Sequence, residues 1–574
     1  MIDKLKKRLN KRNLIFMCLA LLSIIYVVPI FWGGILTGDD VAFHLTRFDE
    51  LCNAFKSGDL FPLIYEGMNS GQGYAVGAFY PAIFMYPFAL LSIMGIPKVF
   101  SVFLYYATMN TITTFTMYKL GKYFAKSKEH HNPERFGIIF ALISFLDFYR
   151  FINYYIRGAL GEFSAFAFVP LVILYFYKIL RGKNCYISFA ISMALVFANH
   201  IITTVILCVT FLVLLLVNVK KIIPNPKILL TVLKAAGIFI IITPFIWVPM
   251  IEYLASCNLV VGSGINAFGS LDTFCMFKFN VSSAVSIIIS LSLLVFSMIF
   301  TTTKARVIQV ALFSGICITN LFCWSTLDSV LSFIQFPWRV LSIVFIGVTL
   351  YLLLIWENKV ANKMFRVLTT FLMIGTVLIN SFAMYSYFVP MKFANYITFN
   401  RINETALESY DNMGNMEYAP LELYENNKEI ADKNGTRVLT YKYSVAELNK
   451  YGVFEELKDG ETYVLRYNSL VEKRITVPRV YYPGCKAQVD GKTVLCKPGK
   501  YGFITVETPK LYGNITVWYE HTDIEYLSIV FTVFGAIVVW LLDARRRVLE
   551  YRAQQEGYIP KVRAKKVKVK KKKR

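Results

Sequence analysis

The sequence predicts a polytopic α-helical membrane protein of about twelve transmembrane helices. It also predicts an extracytoplasmic β-rich, β-sandwich-like domain just before the last helix. Three observations predict this. First, 56% of the 574 residues are apolar and only 17% are charged, below the roughly 25% of an ordinary soluble domain. Mean hydropathy is +0.50, and one soluble core cannot bury that much Leu, Ile, Phe and Val. Second, apolar runs long enough to span a bilayer recur along the chain. Third, one long polar stretch alternates in the manner of strands. A purely soluble enzyme, a disordered chain and a small disulfide scaffold are excluded.

Taken in order, residues 1–13 form a basic cytoplasmic N-terminus with six Lys or Arg. The run 14–36 follows with no small-residue cleavage site, so it reads as a retained helix. Further runs lie near 99–119, 136–152, 163–180, 185–199, 201–219, 228–251, 283–301, 307–324, 338–356, 366–387 and 524–542. Loops assigned to the cytoplasm carry 17 Lys or Arg in sum, and those assigned outside carry 7. That bias places both termini in the cytoplasm of a bacterial plasma membrane. The tail 543–574 is polybasic and suits anionic lipid headgroups, not nucleic acid. A transmembrane domain thus covers 14–387. Its first outer loop, 34–98, includes an interfacial helix near Phe79–Met94, where Pro81 and Pro87 argue against a span.

The segment 388–523 is the β-rich domain. Its second half alternates as "RITVPRVYYPGCKAQVDGKTVLCK", and Asp490-Gly491 is a hairpin signal. Pro-Gly pairs at 483–484 and 498–499 mark turns. The ten cysteines show no zinc spacing. Cys485 and Cys496 flank the hairpin, and Cys257 and Cys275 share an outer loop; a disulfide is left open for each pair. No internal repeat, P-loop, dinucleotide glycine pattern or HExxH is present.

Candidate chemistry gathers on the outer side. From Asp40 the first outer loop reads as a helix that puts Asp40, His44 and Arg47 on one face, with Asp39 about 100° away. Arg157 and Glu162 in "YYIRGALGEF", His200 in "FANHI" and Arg339 in "IQFPWRVL" fall at outer ends of other spans. Ionisable groups at that depth need a partner or a purpose. Carboxylates, an imidazole and arginines from four segments predict a polar cavity facing out. Arginine grips phosphate through a planar fork, and a carboxylate deprotonates an attacking hydroxyl. Nucleotide donors are scarce outside the membrane, so the fitting donor is lipid-linked.

The ordered motifs "GDDVAFHLTR", "SGDLFPLIYEGMNSGQGYAVGAFYPAIFMYP", "RGALGEFSAFAFVPLV", "FANHI", "IQFPWRVLS" and "YYPGCKAQVDGK" extend over essentially the whole chain. With them the sequence resembles the bacterial membrane glycosyltransferases of the GT-C superfamily, YfhO-like group. That group includes proteins labelled 6-pyruvoyl-tetrahydropterin-synthase-related. The resemblance implies a GT-C fold, a polyprenyl-phosphate sugar donor and transfer to a surface polymer or glycolipid. It maps the catalytic acid to Asp40 or Asp39, with Asp40 preferred. It places His44, Arg47, Arg157, Glu162, His200 and Arg339 around the substrates. No cofactor is required; a divalent metal on Asp39 and Asp40 is left open. The competing classes are a lipid-linked sugar flippase or transporter, and a non-enzymatic membrane scaffold.

Overall fold

The structure, a computed structural model, describes residues 11–265, 271, 324–331, 334–357, 401–402, 416–434, 441–458, 462–469 and 473–558. Three of its helices are long and apolar enough to cross a membrane: Asn13–Phe31, Leu160–Leu180 and Asp523–Leu549. Counting each bent helix pair as one span raises the number to five. Twelve spans were expected, and the difference has four sources. The expected runs 185–199, 201–219 and 338–356 hold shorter apolar helices, Tyr186–Phe197, Ile201–Val217 and Pro337–Gly347. The runs 283–301 and 366–387, and all but the end of 307–324, lie outside the described residues. Two expected spans are broken. The run 136–152 bends by 55° between Pro133–Leu146 and Tyr149–Arg157, and 228–251 bends by 71° between Lys227–Ile242 and Pro244–Ser256. Proline at the second break removes a helical donor and clashes with the preceding turn. Finally, the run 99–119 lies in the 30-residue helix Lys98–Ser127, which is too polar to pass by hydropathy. Its Asn110, Thr113 and Thr114 are buried, and an interior helix needs no continuous lipid-facing surface.

Burial separates rim from centre. Only 22% and 17% of the apolar windows of the first and last helices are buried, against 67% for Leu160–Leu180. Exposed Leu21, Ile25, Val530 and Phe534 give the two outer helices apolar faces suited to lipid. The interior is tied by polar contacts. Ser23 Oγ donates to Thr114 Oγ1 at 2.8 Å, and Asn110 Nδ2 donates to Ser23 O at 2.7 Å.

The loop 34–98 opens with strand β1 (Ile35–Leu36), paired antiparallel with β2 (Arg401–Ile402). The helix Val41–Ser57 follows. In place of one interfacial helix near 79–94 stand two short ones, Val76–Phe79 and Tyr86–Ile93, neither long enough to span. Tyr65, Tyr74 and Phe79 from this loop share a core with Tyr253, Leu423, Tyr482 and Phe503. The loop is therefore the seat of the β-rich domain.

That domain contains the helix Leu421–Asn434 and strands β3 (Val453–Lys458), β4 (Tyr463–Asn468), β5 (Arg474–Val480), β6 (Cys485–Val489), β7 (Lys492–Val494), β8 (Cys496–Pro498), β9 (Phe503–Glu507) and β10 (Tyr512–Tyr519). One antiparallel sheet has the order β3-β4-β10-β6-β7 and another β5-β9-β8. Tyr463, Leu465, Val489, Ile515 and Val517 of the first meet Ile475, Val477, Ile504 and Val506 of the second in one core. Alternate residues along each strand point the same way, so the sequence alternation does specify a sandwich. Asp490 and Gly491 take φ of 49° and 79°, the geometry of a two-residue hairpin turn. Cys485 and Cys496 are free thiols. Cys257 is free, and Cys275 lies outside the described residues.

Where the domain meets the last helix, His521 clasps the loop. Its Nε2 lies 3.1 Å from Asp59 Oδ1 and its Nδ1 2.7 Å from Glu525 Oε2. The hydrogen bond to Asp59, then that to Glu525, raise its pKa from 6.5 to about 10. A raised folded-state pKa gives stability that is full below the unfolded value and lost as pH climbs through the folded one. The melting-temperature gap between wild type and His521→Gln should therefore shrink as pH rises from 6.5 to about 10. A constant gap over that window would show that charge is not what the clasp uses.

Candidate functional site

The loop 37–40 and the segment 152–162 touch through backbone. Asp39 N donates to Ile156 O at 3.3 Å and Asp40 N to Arg157 O at 2.7 Å. Two glycines permit this approach. A Cβ on Gly38 would strike Ile156 O and come within 2.9 Å of the Arg157 carbonyl. Gly158 has φ of 63°, and a Cβ there would strike Val41. The partner segment Ile152–Arg157 is a π-helical turn, a widening often found at functional sites. Gly38→Ala should cost about 1–3 kcal/mol by overpacking, read as a lowered melting temperature.

Arg157 is the hub. Its Nη2 donates to Asp40 Oδ2 at 2.7 Å, and its Nη1 donates to Glu162 Oε2 at 2.8 Å and to Asn153 Oδ1 at 3.1 Å. Glu162 is fully buried, and its other oxygen accepts from Tyr149 OH. Arg339 Nε lies 3.4 Å from the same Glu162 Oε2. Arg339 Nη1 also donates to Gln335 Oε1 at 2.7 Å and to Ile334 O at 2.9 Å. The Trp338 ring sits 5.1 Å from the Arg157 guanidinium, and the Phe336 ring 4.8 Å from that of Arg339. These contacts are favourable in a dry setting.

A second layer adjoins the first. Arg47 Nη1 lies 3.1 Å from His44 Nδ1, and its Nη2 donates to Tyr80 O at 2.5 Å. Its guanidinium stacks 4.2 Å from the Tyr80 ring centre. Tyr80 also touches the rings of His44 and His200, at 5.5 and 5.8 Å. His200 Nδ1 accepts from Thr203 N and so caps the helix Ile201–Val217. Arg47 is 1% exposed and has no carboxylate in ion-pair range among the described residues. It lines a small cavity of about 10 Å³ with Tyr80, Met85 and Asn199. Burial, then Arg47, hold the His44 pKa well below its usual value, so the imidazole stays neutral.

The structure thus brings all eight expected residues into one region, and ion pairs or ring contacts hold every one but Asp39. It differs on how they pair. Asp40 was expected to act with His44 and Arg47 on one helical face. Its carboxylate instead turns across to Arg157, while His44 and Arg47 pair with each other. That helix face is also packed inward, with His44 and Arg47 2% and 1% exposed, not lining an open cavity. Asp39 keeps a carboxylate with no hydrogen-bond partner among the described residues. Burial, then the neighbouring Asp40, raise its pKa above 3.8. Tyr149 and Asn153 carried no signal in the sequence, and Gln335 lay unremarked inside the motif that carries Arg339. Tyr80 and Trp338 lay inside the aromatic-proline motifs. Among the described residues, no group of three His, Cys, Asp or Glu comes together as a metal ligand set.

No family model matches the chain. It is similar to a protein of Lactococcus lactis subsp. cremoris (strain MG1363) described as an uncharacterized protein. The two are 24% identical over 274 residues, which cover 44% of this chain and 43% of that protein. The match spans less than half the length of the relative.

Proposed function

We propose that the chain is a GT-C-type membrane glycosyltransferase. It moves a sugar from a polyprenyl-phosphate carrier to a surface polymer or glycolipid on the outer face of a bacterial plasma membrane. About twelve helices would carry the site, with both termini in the cytoplasm. One observation supports the reading most. Two adjacent carboxylates stand at the edge of a buried arginine network; one is locked to Arg157 and the other is left free. That division suits acid–base work, where one group fixes geometry and its neighbour takes the proton.

In this reading Asp39 removes the proton of the acceptor hydroxyl. The acceptor oxygen then bonds to the anomeric carbon, and the carbon–oxygen bond to the carrier phosphate breaks. The phosphate leaves with the electron pair, and Arg339 and Arg157 offset the charge it gains. Asp40 positions Arg157. The β-sandwich presents the acceptor. Mass spectrometry of surface polymers and lipid-linked sugars tests this in wild-type and deletion strains. A sugar should vanish from a polymer while its polyprenyl-phosphate form accumulates. Unchanged polymers in a strain without a redundant enzyme would leave transport or scaffolding as the function.

A further inference from the structure

Two thiols of the β-sandwich stand on one rung. In the hairpin of β6 and β7, Ala487 faces Val494, Gln488 faces Thr493 and Val489 faces Lys492. Carried two steps outward, the same register sets Cys485 opposite Cys496. Side chains alternate along a strand, so Cys485 shares the face of Ala487 and Val489, and Cys496 that of Val494. All five pack in the sandwich core. Cys496 is buried and Cys485 half-buried. Residues opposed on neighbouring antiparallel strands have Cα atoms roughly 4.5–5.5 Å apart, inside the roughly 4.4–6.8 Å that a disulfide spans.

The rung lies where the two sheets and the last helix are joined. Exposed Leu495 carries the chain from β7 in one sheet to β8 in the other, where Cys496 pairs with Val506 of β9. On its other side Cys485 pairs with Tyr519 of β10, just before the last helix starts at Asp523. Glu520 N donates to Gly484 O at 2.9 Å, so the turn before Cys485 is already fastened to that exit. A covalent bond on this rung would tie both sheets to the strand that leads into the last helix. Cys257 reaches the same turn from another segment. Its Sγ donates to Tyr481 O at 3.6 Å, and it caps the helix Pro244–Ser256.

We propose that Cys485 and Cys496 close an inter-sheet disulfide on the outer face of the membrane. The proposal rests on the outer placement of the sandwich in the function proposed above. The oxidant is itself a disulfide, carried by a thiol oxidoreductase or a small molecule. Cys485, the more exposed of the two, attacks one of its sulfurs as a thiolate, and the other sulfur leaves as a thiolate. Cys496 then attacks Cys485 Sγ and releases the remaining sulfur. The two protein thiols give up two protons and two electrons, and the oxidant takes them up as two thiols. The new bond closes a short loop and removes conformations from the unfolded chain.

Trypsin tests this directly, because it cuts after Lys486 and Lys492, between the two cysteines. Cells making the full-length protein are acid-quenched, free thiols are blocked with N-ethylmaleimide, and the protein is digested without reductant. The peptides bearing Cys485 and Cys496 should emerge joined, lighter than their sum by the two hydrogens lost, and should part on reduction. Cys485→Ser should leave Cys496 carrying maleimide, and Cys257→Ser should leave the joined peptides unchanged. Reductant should lower the melting temperature of wild type and not that of Cys485→Ser. Maleimide on both cysteines of the quenched wild type would overturn the proposal, as would a joined peptide containing Cys257. A membrane-impermeant maleimide on intact cells reports the side of the sandwich separately, through Tyr512→Cys at an exposed strand position. Outer labelling with both native thiols free sinks the disulfide alone. Labelling only after permeabilisation sinks the outer placement on which both readings rest.

Discussion

An Arg157→Met protein should unfold with about 3–5 kcal/mol less stability than wild type, the cost of stripping one partner from a buried ion pair. The size follows from what stays behind. Glu162 would keep only Arg339, at 3.4 Å, and the Tyr149 hydroxyl. Both the Arg157 and Glu162 side chains are more than nine-tenths buried, at 7% and 2% exposed, so water cannot take over the lost partner. Asp40, 31% exposed, would suffer less because solvent reaches it. Denaturant unfolding in mixed micelles measures the difference. A second variant, Glu162→Gln, separates charge from packing. Removing Arg157 and the Glu162 charge together should cost less than the sum of the two single changes, because the double variant leaves no uncompensated charge buried at position 162. Strict additivity would mean that the two groups do not act as a pair.

The architecture was legible where one physical rule dominates. Alternation fixed the sandwich, because a strand that buries one face must place apolar residues at every second position, as Ile515 and Val517 do. Asp490-Gly491 fixed its hairpin, because few other residues accept two consecutive positive φ values. Span counting was weaker. Hydropathy assumes that a crossing helix faces lipid all round, whereas Lys98–Ser127 buries Asn110 and its threonines inside the bundle. It also ignores bends such as the one at Thr243-Pro244. The gathering of Asp40, Arg157, Glu162 and Arg339 was legible from loop order and charge cost. Their pairing was not. Helical spacing reports only neighbours on one helix, so it matched Asp40 with His44. The contact that wins runs between segments, and it depends on the close approach that Gly38 and Gly158 allow. Tyr149 left no trace, since a buried tyrosine in an aromatic-rich sequence looks like any other core residue.

Asp39 and Asp40 should separate on substitution, and by a large factor. If Asp39 accepts the proton, Asp39→Asn should lower transfer by about 10²–10⁴-fold, the usual contribution of a positioned general base. Its protein level and melting temperature should stay at wild-type values, because the Asp39 side chain holds no partner. Asp40→Asn should act in another way. It weakens a 2.7 Å ion pair and loosens Arg157, so stability falls and activity falls with it. The elevated pKa of Asp39 strengthens the assignment, since a carboxyl pushed upward toward working pH is a better base. Transfer should accordingly fall as pH drops through the raised Asp39 value. Carrier-linked sugar accumulation and polymer composition in cells expressing each variant read out both effects. Full transfer by Asp39→Asn, with Asp40→Asn inactive at normal abundance and unchanged melting temperature, would return the base to Asp40. Arg157 would then serve to orient the base, and its ion pair would have to open before each proton transfer.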